Sequence, residues 1–108
     1  MQIPNRFKMF GQTIEVVFGE KYFLGSDNIG YAAYRLNQIQ LKPVSASNPR
    51  TDSQLEQTFW HELMHWVLFF AGDANTGRQD HLHQEEGLVD ISAHLLQQAI
   101  NSFEYDKD

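Results

Sequence analysis

"FWHELMHWVLFF", residues 59–70, is an almost wholly apolar run with two histidines and a glutamate at its centre. Its periodicity is helical. At about 100° per residue Leu55, Phe59, Leu63, Trp66 and Phe70 form one stripe, and His61 and His65 lie roughly opposite it. The histidines are four apart, so their rings are neighbours about 6 Å along the axis and both can converge on one ion. Glu62 points about 100° away from His61, which sets its carboxylate beside such an ion, within reach of a water there. Two ligands and a general base on one helix are what a His-Glu-x-x-His pattern provides mechanically. The competing reading makes all three ordinary polar residues on a solvated face. Trp60, Met64, Val67, Leu68 and Phe69 weigh against it, because they make the helix apolar nearly all round, where an idle titratable triad is costly.

Outward from this helix, the 108 residues fit one domain, residues 1–108, with a single core and no internal repeat. Thr51 or Asp52 can cap the helix, which runs over about 52–71 and stops at Gly72. Before it, "TIEVVF" (13–18) alternates as a strand, and "GYAAYRLNQIQLKP" (30–43) reads as two strands about a turn at Arg35-Leu36-Asn37. The expectation over about 12–42 is a small antiparallel sheet of about three strands. "PVSASNPR" (43–50) is a connection, and after the polar loop "GDANTGRQDHLHQ" (72–84) a second helix spans about 84–101. Leu88, Leu95, Leu96 and Ala99 are expected to be its packing face. The fold class is α+β, with the first helix between the sheet and the second helix.

Composition narrows the chemistry. With no cysteine there is neither a disulfide scaffold nor thiolate-held zinc, so any metal is held by nitrogen and oxygen, and a reducing, cytoplasmic setting is expected. A formal charge of −6 without a basic run makes nucleic acid a poor partner. No apolar stretch approaches the roughly 20 residues of a membrane span, and "MQIPNRFKMFGQ" lacks the apolar block of a secretion signal.

A catalytic zinc site needs a third protein ligand and an open position. The metzincin pattern would put glycine three residues and histidine six residues after His65, where this chain has Leu68 and Ala71. His81, His83 and His94 are the remaining histidines, and none has a compelling position. In "EEGLVD" (85–90), Glu86 and Asp90 are four apart on the polar edge of the second helix; one can bind the ion while the other supports a ligand. Zinc-bound histidines usually donate their other N–H to a carboxylate, the role suggested for Asp90. Glu85 is the rival ligand. An acidic helix start favoured by the macrodipole is the plainer reading of these acids.

"HELMH" (61–65) followed by "EGLVD" (86–90) resembles the gluzincin arrangement, His-Glu-x-x-His with a downstream Glu-x-x-x-Asp. Within that group the short sheet and two helices look like the minimal phage and prophage-type metallopeptidases, related to the ImmA/IrrE-type and minigluzincin proteins. The resemblance covers roughly residues 12–100. It implies a zinc-dependent endopeptidase with His61, His65 and Glu86 on Zn2+, Asp90 orienting a histidine, and Glu62 as general base. It also implies an extended peptide or protein substrate guided by an edge strand, for which "QIQL" (38–41) is the match. The large second lobe of bigger gluzincins is missing. The alternative is therefore a weak or inactive metal-binding regulatory module, with the tail "NSFEYDKD" (101–108) as a plug over the open position. Tyr31, Tyr34, His81, His83 and His94 are all open as donors to a tetrahedral oxyanion.

Overall fold

The computed structural model describes residues 3–71 and 85–106. Four strands come first: β1 (Arg6–Met9), β2 (Gln12–Phe18), β3 (Gly30–Ala33) and β4 (Gln38–Leu41). Among the described residues two helices follow, α1 (Asp52–Ala71) and α2 (Glu86–Asn101). The class is α+β as expected, but the sheet is mixed. Its order is β1-β2-β4-β3, with β2 and β4 parallel and the other two pairs antiparallel.

β1 is the strand that sequence patterning misses. "RFKM" alternates over only four residues, and its turn to β2 is Phe10-Gly11 rather than an asparagine or aspartate pair. Both turn residues have positive φ, 51° and 75°, as a tight hairpin demands. The Phe10 ring stacks on Phe70 at 5.9 Å, giving that backbone a packing partner at the far end of α1. Asn37 takes the left-handed conformation, φ 52°, after the short 3-10 turn Tyr34–Leu36 and so closes the β3–β4 connection.

The parallel pairing moves β4 to the interior of the sheet. Val16 faces Ile39 and Phe18 faces Leu41, while β3 takes the edge beyond β4. The expectation that "QIQL" is an edge strand is therefore corrected. Ile39, Gln40 and Leu41 are all buried, so both faces of β4 are covered. An edge strand of this kind would keep one side wet.

α1 begins with a reciprocal cap: the Gln54 amide N–H donates to Thr51 Oγ1 at 3.1 Å, and the Thr51 amide N–H donates to Gln54 Oε1 at 2.9 Å. Its apolar stripe packs on β3 and β4, and its other side meets α2. Phe59 and Trp66 are fully buried with Ile14, Ile39 and Leu41. The Trp66 indole N–H donates to the Gln38 carbonyl at 3.3 Å, so the ring is satisfied as well as buried.

α2 presents a different face from the one expected. Val89, Ala93 and Gln97 are buried, Leu96 and Ile100 partly so, whereas Leu88, Leu95 and Ala99 are exposed. This is the face that meets α1, where buried Glu56 needs donors. Trp60 Nε1, Gln97 Nε2 and Asn101 Nδ2 all lie within 3.5 Å of Glu56 Oε1. Burial alone would raise the pKa of that carboxyl, but the three donors outweigh it and hold the pKa below the ordinary value.

This face can be tested by truncation. Val89→Ala should cost about 1–3 kcal/mol in urea denaturation and Leu95→Ala less than about 0.5 kcal/mol, and equal losses would contradict the packing.

Candidate metal centre

The interior position of β4 leaves β3 beside α1, and an open cleft of about 980 Å³ lies between them, closed at one end by the start of α2. The groups proposed from the sequence meet there. His61 and His65 stack on successive turns of α1 with ring centroids 5.0 Å apart. Glu86, in the first turn of α2, spans both: Oε2 is 2.9 Å from His61 Nε2 and Oε1 is 3.1 Å from His65 Nε2. One ligand atom from each of the three residues lies within 4.8 Å of the others. Asp90, one turn along α2, sets Oδ1 3.3 Å from His61 Nδ1. It thus holds the ring from the side away from Glu86.

The spacing and chemistry of these donors fit a divalent cation. Zinc–nitrogen and zinc–oxygen bonds of about 2.0–2.2 Å at tetrahedral angles put neighbouring ligand atoms about 3.3–3.6 Å apart. The 2.9 and 3.1 Å from the two histidines to the two oxygens of Glu86 are a few tenths of an ångström short of this, and all three ligand atoms lie within 4.8 Å of one another. Proton count gives a second reason. Both ring nitrogens of His61 face carboxylate oxygens, yet a neutral imidazole has a single N–H. If that proton goes to Asp90, the Nε2 lone pair confronts the Glu86 oxygen lone pairs, and His65 Nε2 faces the same carboxylate. Either a second proton on His61 or a metal cation between them removes the conflict.

Glu62 is buried beside this cluster, and its carboxyl is pushed up to about 7. Desolvation is the main cause; the Glu86 charge raises it further and His61 opposes the rise. A carboxyl poised near neutrality is suited to taking and returning a proton. Gly30 of β3 makes room for it. A Cβ at that position would lie 2.8 Å from Glu62 Oε2 and 2.7 Å from Thr58 Cγ2, and the β-branched Thr58 has little freedom to move aside in a helix. The bare backbone of the edge strand therefore runs directly against the acid.

The other proposed residues fall as follows. Glu85, the rival ligand, is exposed ahead of α2 and is not part of the converging group. His94 lies 3.7 Å from Asp90 and lines the cleft outside that group. Tyr31 and Tyr34 also line it, Tyr34 with its ring stacked on Phe69 at 4.5 Å. His81 and His83 lie outside the described residues. Tail residues Ser102–Asp106 follow the far end of α2, and none of them lines the cleft, so the described part of the tail does not plug it.

Three contributors to the cleft were not singled out from the sequence. Arg50 lies in what reads as a mere connection, Thr58 looks like an ordinary helix residue, and Gly30 looks like a strand boundary. Only the tertiary approach of β3 to α1 gives them roles. Comparisons with family models, with curated proteins and with solved structures find no match to this chain. No helix among the described residues is long and apolar enough to cross a membrane.

The raised Glu62 pKa has a stability consequence in the metal-free protein. A group whose folded pKa is about 7 against an ordinary 4.5 favours the fold fully below pH 4.5 and loses that contribution as pH rises through 7. Glu62→Gln, with no charge to bury, should match the parent near pH 4.5 and exceed it by up to about 3 kcal/mol at pH 8. Urea denaturation in chelator at the two pH values reads this difference, and a variant less stable than the parent at pH 8 would contradict it.

Proposed function

We propose that the chain is a zinc-dependent metallopeptidase that hydrolyses internal peptide bonds. The observation that carries this reading is the convergence of His61 Nε2, His65 Nε2 and the Glu86 carboxylate beside the buried Glu62. Zinc is the natural ion for two imidazoles and one carboxylate without thiolates, and three protein ligands leave a position open. A structural brace would need a fourth protein ligand, and three converge among the described residues. The acidic balance favours peptide over nucleic acid, and the absence of cysteine fits a cytoplasmic site of action.

When bound, the cation supplies Lewis acidity, polarising a substrate carbonyl and bringing the pKa of a water toward neutrality. Glu62 takes the proton of the attacking water and returns it to the departing amine. Asp90 keeps His61 in one ring orientation and one tautomer. The substrate is held by the edge of β3 that does not face β4, which pairs with no other strand among the described residues and offers main-chain pairing to an extended peptide. Because Gly30 lies against Glu62, a peptide added to that edge passes the acid.

Purified protein should carry about one zinc per chain, and Glu62→Gln should keep the metal while lowering peptide cleavage by roughly 10²–10⁴-fold. Metal analysis alongside a fluorogenic peptide assay reads both. Cleavage undiminished in that variant, or no zinc in the parent, would remove the reading.

A further inference from the structure

Arg50 stands just before α1, and among the described residues it is the one lysine or arginine that lines the cleft. It is held in place by neutral acceptors. Nη1 donates to Thr58 Oγ1 at 3.1 Å, and Nη2 donates to the carbonyl of Lys42. Nε is shielded from solvent and has no partner, and no carboxylate among the described residues pairs with the guanidinium. This is unusual in a chain with 14 acidic and 8 basic residues. A half-buried cation bound only to neutral groups keeps most of its desolvation cost and gains an anion's attraction when one arrives. Burial also lowers its pKa, in keeping with a missing counter-charge.

Position adds to the argument. Thr58 precedes Glu62 by one turn of α1, about 6 Å, which is roughly two residues of extended chain. Gly30 of the edge strand touches both Thr58 and Glu62 in the sense that a Cβ there would collide with each. Arg50 meets Thr58, and Gly30 lies against both Thr58 and Glu62, so the four line one part of the cleft. Four carboxyl-bearing residues also line the cleft, Asp27, Glu62, Glu86 and Asp90.

We infer that Arg50 forms an anion subsite that selects peptides carrying a single carboxylate about two residues from the cleaved bond. This rests on the peptidase reading for its substrate class. The carboxylate is either an acidic side chain within the peptide or the free C-terminus. The guanidinium receives it through the Nη1 and Nη2 N–H groups that Thr58 and Lys42 leave unused, while the carboxyl groups of the cleft disfavour peptides with several negative charges.

Three decapeptides of one sequence test this: one with an interior glutamate and an amidated C-terminus, one with glutamine there and a free C-terminus, and one with glutamine and an amidated C-terminus. Binding is read by calorimetry on zinc-loaded Glu62→Gln protein, and cleavage on the parent. At least one carboxylate peptide should bind about tenfold or more tightly than the uncharged one, and the peptide that does so identifies the source of the carboxylate. Adding Arg50→Gln should bring that ratio close to one, while Arg50→Lys should keep part of it. Melting temperatures establish that each variant is folded. Should Arg50→Gln not fold, the peptide comparison on the Glu62→Gln protein and the Lys variant still decide. Equal binding of all three peptides, or a preference that survives Arg50→Gln, would overturn the subsite. Preferential binding without any cleavage by the parent would overturn the peptidase reading alone, and cleavage without preference the subsite alone. Neither binding nor cleavage would overturn both.

Discussion

Glu86 places one carboxylate oxygen 2.9 Å from His61 and the other 3.1 Å from His65, and the remainder of the cleft is arranged around that bridge. The bridge joins helices that are otherwise held by small apolar residues, Val89 and Ala93, and by the donors around Glu56. Two polar ties therefore fix the same helix pair at different points along its length. The Glu56 tie is internally satisfied, with three side-chain N–H groups on one carboxylate oxygen. The Glu86 tie is not, because its acceptors exceed the protons a neutral His61 and His65 can give. That contrast is the physical reason to regard one as structural and the other as a site for a cation.

The sheet supports the site by an unobvious route. Placing β4 between β2 and β3 buries Ile39 and Leu41 under α1 and makes β3 the margin of the sheet among the described residues, with Gly30, Tyr31 and Ala32 lining the cleft. Gly30 then brings bare backbone against Glu62. Burial of Glu62 raises its pKa, and Gly30 of the edge strand lies against that carboxyl. Fold and candidate chemistry thus depend on one contact between β3 and α1.

Much of this was legible in the sequence, for reasons of periodicity. The spacing of His61, Glu62 and His65 in an apolar run located α1 and its polar side, and Glu86 and Asp90 at i, i+4 pointed to the complementary edge of α2. What was not legible depends on long-range pairing. "RFKM" is too short for its alternation to stand out, and a Phe-Gly turn carries no strong hairpin signal. Nothing local to "QIQL" distinguishes a strand paired on both sides from one at an edge. On α2, larger apolar residues drew attention to Leu88 and Leu95, yet the face that meets α1 is that of Val89 and Ala93. Arg50 gave no signal at all, since its partners are eight residues away in each direction along the chain.

X-ray absorption at the zinc edge, on protein reconstituted with one equivalent of zinc, addresses the central claim most directly. The account predicts two imidazole nitrogens and one carboxylate oxygen at about 2.0–2.2 Å, with a solvent oxygen as the remaining light-atom neighbour. Replacing Glu86 with glutamine should change that shell. A spectrum unaltered by the replacement, or one lacking the imidazole scattering of two histidines, would contradict it.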